Sequence, residues 1–235
     1  SGKVVILKEE EDGLVFEGWS VQPSGFLPDE IAHKALESAL ELCSLNSIND
    51  LAAICATGYG RASVSFIKDN ISEISCHARG AYWACPDVRT IIDVGGQDVK
   101  VISLTSKGSV ADFAMNDKCA AGTGRFFEAM ARTLQCDVKE LGELSLSADT
   151  AVSISSQCSV FAESEVITYI NQQVPRNQIA AGIHEAIAKR ICAMGQRVGI
   201  ERQILLSGGC AKNRGLRKAL SEMLDTDLIH TSVDP

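Results

Sequence analysis

The sequence predicts an α/β fold, on three observations. Short apolar strands alternate with amphipathic helices along the chain. Two strands, Thr90-Ile91-Ile92-Asp93-Val94 and Ile204-Leu205-Leu206, are almost continuously apolar, as strands buried on both faces of a sheet are. Both run into a glycine pair, Gly95-Gly96 and Gly208-Gly209, and α/β sheets bind ligands beyond the carboxyl ends of their strands.

The elements follow in order. Lys3-Val4-Val5-Ile6-Leu7 reads as a strand, with Val15 to Trp19 returning across an acidic turn. Residues 29–42 read as a helix with Ile31, Ala35, Leu36, Ala39 and Leu42 at helical spacing. Residues 52–56 read as a short strand ending at Thr57-Gly58-Tyr59-Gly60. After the buried strand at 90–94 and the Gly95-Gly96 turn, a strand re-enters over 99–104, and Ser106-Lys107-Gly108 turns towards Phe113-Ala114-Met115. Three helices come next. Residues 123–134 carry Phe126, Phe127, Met130 and Leu134 on one face. Residues 160–170 carry Val166, Ile167 and Ile170. Residues 179–198 carry Ile183, Ile187, Ile191, Met194 and Val198, with Gly199 as the stop. The strand at 204–206 and a helix over 214–224 close the pattern.

Composition excludes several functions. Hydrophobic residues make up 46% of the 235 and charged residues 22%, which rules out disorder and allows a sizeable core in one or two domains. No apolar run approaches the roughly 20 residues that cross a bilayer, and Ser1-Gly2-Lys3 opens no signal-peptide segment, so no membrane association is expected. The formal charge of −8 leaves no basic excess for phosphate backbones, so no nucleic-acid partner is expected. Nine cysteines without a secretory segment point to free thiols in a reducing, cytoplasmic setting. The two closest in sequence, Cys76 and Cys85, are too far apart for local zinc-finger or ferredoxin spacing.

Three segments carry chemistry. In Ile91-Ile92-Asp93-Val94-Gly95-Gly96-Gln97-Asp98 the glycines let backbone N–H groups approach phosphate oxygens. Asp93 could hold Mg2+ through its water shell, and Gln97 or Asp98 could orient an attacking water. An ordinary hairpin turn is the alternative. Gly208-Gly209, just ahead of a helix start near Asn213, reads as a second wall of a nucleotide cleft, or else as a plain strand-to-helix turn. Cys119, followed by Gly122-Thr123-Gly124, and Cys158, preceded by Ser155-Ser156-Gln157, each stand at a helix start, where the positive dipole end favours thiolate. Two such cysteines make half of a four-thiolate site, which a symmetric dimer would complete. Adjacent helical residues such as Cys76 and His77 diverge by about 100°, so that pair reads as structural. His33, His184 and His230 stand alone.

Lys3-Val4-Val5-Ile6-Leu7 echoes Lys100-Val101-Ile102-Ser103-Leu104, but only the second copy has a loop like Asp93-Val94-Gly95-Gly96-Gln97-Asp98 before it. The expectation is a chain that starts inside a repeated strand–turn–strand; chance likeness of two short strands is the alternative.

Taken together, several segments resemble one family, the ATP-dependent activators of 2-hydroxyacyl-CoA dehydratases, which includes the ATPase subunits of benzoyl-CoA reductase. They are Thr57-Gly58-Tyr59-Gly60-Arg61, Glu73-Ile74-Ser75-Cys76-His77-Ala78, the Asp93 to Asp98 loop, Asn116 to Phe126, Ser155-Ser156-Gln157-Cys158 with Val160 to Val166, and Ser207-Gly208-Gly209. The glycine pairs are shared with the wider sugar-kinase and actin-like superfamily. The resemblance implies an actin-like two-domain ATPase fold, truncated at both ends, with domains at 1–86 and 87–235. It implies ATP, ADP and Mg2+ as ligands, with Asp93, Gln97 and Asp98 catalytic and Gly95, Gly96, Gly122, Thr123, Gly124, Gly208, Gly209 and Asn213 around the nucleotide. It implies a homodimer with one [4Fe–4S] cluster held by Cys119 and Cys158 of each chain. A reduced ferredoxin or flavodoxin would charge the cluster, and ATP hydrolysis would drive the electron into the dehydratase. An ATPase subunit of a benzoyl-CoA reductase and a non-hydrolysing metal-bridged dimerisation module are the alternatives. The family's first phosphate loop and its C-terminal Gly-Ala-Leu-Gly-Ala helix have no counterpart in this sequence.

Overall fold

The structure is a computed structural model that describes residues 1–23, 25–67, 69–155 and 158–229. Ser156, Gln157 and His230 lie outside the described residues. The chain forms two compact units, Ser1–Cys76 and His77–Pro235.

In the first unit β1 (Gly2–Glu10) and β2 (Gly13–Gln22) form an antiparallel hairpin with a bulge at Ile6/Leu7. The helix α1 (Pro28–Leu42) starts on a proline, whose fixed φ suits a first helical position. It packs on the hairpin through Leu36, Ala39 and Leu40 against Ile6. The apolar stripe ends at Leu40; Leu42, expected on it, is 71% exposed. The strand expected over 52–56 shrinks to β3 (Cys55–Ala56), because its parallel partner β4 (Asp69–Asn70) offers only two residues and Ala52 and Ala53 face solvent.

The second unit is built on a four-stranded sheet of order β7-β6-β5-β8, from β5 (Thr90–Val94), β6 (Val99–Leu104), β7 (Val110–Asn116) and β8 (Ile204–Ser207). β5 and β8 run parallel; β6 and β7 are antiparallel additions on one side. The helices are α2 (Glu73–Ala84), which begins at the end of the first unit, and α3 (Gly124–Thr133), α4 (Val138–Leu146), α5 (Ser159–Asn171), α6 (Arg176–Val198) and α7 (Arg214–Leu224). Ile92, Val94, Val99, Val101, Ile204 and Leu206 share one sheet face and join the core of the α3 to α7 layer. Among the described residues no helix is long and apolar enough to cross a membrane.

Two further differences from the sequence expectation lie in the helices. The helix α4 was not expected, although Asp137 is a sequence-legible N-cap whose side chain accepts from the Glu140 N–H at 2.7 Å. On α5 only Ala162 and Val166 are buried; Ile167 and Ile170, expected on the core face, are 46% and 39% exposed. The face of α3 does match: Phe126, Phe127, Met130 and Leu134 are all buried. Phe127→Ala is expected to cost about 3–5 kcal/mol of stability in chemical denaturation, because its site is fully enclosed. A loss under about 1 kcal/mol would mean that the α3 layer collapses into the space.

Candidate functional site

The sheet register builds a polar row at the carboxyl end of β5. Asp93 lies opposite Lys100 on β6 and beside Ser207 on β8, so the three side chains share one face. That face is opposite the apolar one. The Lys100 ammonium, 1% exposed, lies 3.3 Å from Asp93 Oδ2 and 2.8 Å from Asp98 Oδ2. Ser207 Oγ donates to Asp93 Oδ1 at 3.0 Å. With its one proton spent there, Ser207 accepts from His77 Nε2 at 2.9 Å, which fixes the proton of the His77 ring on Nε2. Asp93 is itself 6% exposed, so each of its oxygens is matched by a donor, as burial of a charge requires.

Beyond this row two glycine turns meet. The β5–β6 turn is closed by the Gly95 N–H donating to the Asp98 carbonyl at 2.9 Å. At its tip Gly96 and Gln97 are exposed, and their N–H groups have no partner among the described residues, so both can bind an anion. The second turn follows β8. Gly208 has φ +86, and a Cβ there would run into the Val94 carbonyl, so glycine is required. At Gly209 a Cβ would meet nothing within 4 Å: its face is open. Cys210 fills the space between the turns, its thiol 3.7 Å from the Gly95 carbonyl. Burial, helped by the carboxylates of Asp93 and Glu128, pushes that thiol up to about 12, so it stays protonated.

The same turn anchors α3. The N–H groups of Gly124 and Arg125 donate to the carbonyls of Gly95 and Gly96 at 2.9 and 3.0 Å. The approach needs the missing side chain of Gly124, whose Cβ would sit 3.0 Å from Gly96 Cα. Two of the free N–H groups that open a helix are thus spent on the turn rather than on a ligand. Thr123 is fully buried and its hydroxyl donates to the Ala120 carbonyl at 2.7 Å. Asn213 caps α7, its Oδ1 accepting from the Leu216 N–H at 3.1 Å. The sequence candidates therefore divide. Asp93, Asp98, Gly95, Gly96, Gln97, Gly208 and Gly209 gather at the ends of two adjacent parallel strands, while Thr123, Gly124 and Asn213 hold the surrounding turns and helix starts.

Cys119 lies in the loop before α3, where its carbonyl accepts from Asn116 Nδ2 at 3.0 Å. Cys158 is the N-cap residue of α5, and its side chain makes no capping bond. Both are half-buried free thiols. Burial pushes up the thiols of Cys136 and Cys192, as it does that of Cys210, which makes all three poor sources of thiolate. The helices α3 and α5 pack together, and Thr133 Oγ1 donates to Glu163 Oε1 at 3.2 Å. Among the described residues no three His, Cys, Asp or Glu side chains are placed to hold one metal ion.

Sequence reasoning passed over Lys100 and Ser207 and read His77 as structural. The register held a signal for the first: a hairpin that closes on Val94 and Val99 puts Lys100 opposite Asp93. His77 meets Ser207 across 130 positions, which no local pattern announces.

Comparison with known proteins places this architecture. The activator of lactoyl-CoA dehydratase of Anaerotignum propionicum is 46% identical over 229 residues, 97% of this chain and 86% of that protein. The solved activator of the 2-hydroxyisocaproyl-CoA dehydratase from Clostridium difficile, with bound ADPNP, superposes with a TM-score of 0.87 at 41% identity, covering 98% of this chain and 84% of that one. Component A of the (R)-2-hydroxyglutaryl-CoA dehydratase of Acidaminococcus fermentans gives a TM-score of 0.87 at 40% identity, covering 98% and 87%. The fold is thus the actin-like ATPase fold. With its sequence profile matching residues 1–235, the chain belongs to the BadF/BadG/BcrA/BcrD ATPase family.

Proposed function

We propose that this protein is an ATP-driven electron-transfer activator, which passes a low-potential electron to a 2-hydroxyacyl-CoA dehydratase. The reading is carried by one observation: two half-buried free thiols, Cys119 in the loop that leads into α3 and Cys158 at the N-cap of α5, stand ahead of two helices, and α3 is hydrogen-bonded to the Gly95-Gly96 turn. Two thiols per chain fit half of a four-thiolate [4Fe–4S] site, which a second copy would complete about a twofold axis. Apolar side chains beside Cys158 support a partner surface there, with Val160 and Phe161 66% and 65% exposed. A cluster so held supplies one-electron transfer. Ferredoxin or flavodoxin is the donor class.

ATP and ADP bind at the two glycine turns, with phosphate oxygens on the free N–H groups of Gly96 and Gln97. Asp93 and Asp98 are oxygen donors of the kind that Mg2+ takes, through water or directly. Mg2+ arriving with the nucleotide supplies charge neutralisation at the phosphates. A phosphate that draws the Gly95-Gly96 turn towards itself pulls on the first turn of α3, and with it on the loop of Cys119. That movement links nucleotide state to the thiolate surroundings, and its size is bounded by the differential affinity of the nucleotide for the two positions.

Anaerobic purification followed by iron and sulfide analysis and light scattering tests the reading. The expected result is a dimer with one [4Fe–4S] cluster per two chains. A protein that stays monomeric and takes up no iron on anaerobic reconstitution would overturn it.

A further inference from the structure

Lys100 is the most deeply buried charge in the described molecule, and the nucleotide reading gives it no task. Its ammonium stands 2.8 Å from Asp98 Oδ2 and 3.3 Å from Asp93 Oδ2, opposite Asp93 in the sheet and 1% exposed. We propose that Lys100 is a positioning residue that acts as the built-in counter-cation of the Asp93–Asp98 pair, so that the pair refuses a free divalent cation and takes one only together with nucleotide phosphates.

The argument is one of charge and place. Two carboxylates that meet beside one buried ammonium, Asp93 buried and Asp98 half-buried, would repel each other without it and would attract a metal ion. The register puts the lysine ammonium within hydrogen-bonding reach of both carboxylates, where a bare divalent ion would otherwise gain most. With Asp93 Oδ1 held by Ser207 and Oδ2 by Lys100, an incoming ion finds no carboxylate oxygen of Asp93 without a donor. A nucleotide changes this balance, because its phosphates bring further oxygen ligands and negative charge to the exposed turn at Gly96 and Gln97. The inference rests on the nucleotide reading for its second half only; the refusal of a free ion belongs to the chain alone.

The test uses Mn2+ as the probe, followed by the loss of its free-ion electron paramagnetic resonance signal on the full-length dimer. Without nucleotide, wild type is expected to leave Mn2+ free, and Lys100→Met is expected to bind it roughly tenfold or more tightly than wild type. With ADP present, wild type gains its Mn2+ site. Nucleotide-free wild type that binds Mn2+ as tightly as the ADP complex would overturn the proposal, and this arm needs no variant. A folded Lys100→Met that binds no more Mn2+ than wild type would overturn it as well. If Lys100→Met does not fold, Lys100→Met with Asp98→Asn matches the lost charge. That protein is expected to refuse Mn2+ as wild type does, and binding it more tightly would count against the proposal. A separate titration with ADP alone reports whether the nucleotide site is where the two turns are, so its failure is read apart from the refusal of Mn2+.

Discussion

Cys158→Ala is expected to reduce activation of a 2-hydroxyacyl-CoA dehydratase to background while leaving ADP affinity within about twofold. The substitution is mild for the fold. Cys158 is the N-cap of α5 but makes no side-chain cap, so no helix donor loses a partner. It is half-buried rather than in the core, so little apolar area is lost. It also stands apart from the polar row, whose bonds run among Asp93, Lys100, Asp98, Ser207 and His77. On the proposed reading, the variant removes one sulfur ligand from each chain, two of the four that a cluster shared by two copies would need. The readouts are iron content, visible absorbance and partner activation, with ADP binding by calorimetry as the control. Full activation with iron intact would take Cys158 out of the site. Lost activation together with lost ADP binding would mean instead that the variant disturbs the whole unit.

The sequence made the chemistry of single turns legible and left the wiring between them unread. The buried strand at Thr90–Val94, the hairpin return at Val99 and the helix at Arg214–Leu224 were all readable from periodicity and glycines, because those signals are local. So was Cys158 at the start of α5, whereas Cys119, expected at a helix start, lies in the loop ahead of α3. Contacts over long sequence distances were not. The bond of His77 to Ser207 and the docking of Gly124 on Gly95 depend on how the sheet and helices assemble, and neither residue type announces it. Gly124 shows the limit well. The resemblance set it around the nucleotide; what the structure shows is that its missing side chain makes room for the backbone of Gly96. Likewise Thr123 and Asn213 are polar residues at helix starts, and their side chains serve a turn and a cap.

The two neighbouring glycines after β8 are expected to respond oppositely to substitution, and the contrast tests the nucleotide placement. Gly209→Val is expected to fold with wild-type stability and to lose ADP binding beyond detection at millimolar nucleotide. Gly208→Ala is expected to lose stability, by about 1–3 kcal/mol or more. The reason lies in what each Cβ would meet. At Gly209 nothing stands within 4 Å of an added Cβ, so a side chain there starts into open space, where the proposed nucleotide would lie. At Gly208 the backbone has φ +86, and the new atom would run into the Val94 carbonyl and come within 2.8 Å of Asp93 Oδ1. That places the clash on the buried carboxylate row rather than in the open face. A Cβ cannot be relieved there by a rotamer change, because the nearest atoms are backbone of the central strand β5. Thermal unfolding and ADP calorimetry on the two variants separate the effects. Gly209→Val with unchanged stability and unchanged ADP affinity would move the nucleotide away from these turns. Gly208→Ala with unchanged stability would show that the β8 turn is freer than its contacts with β5 imply.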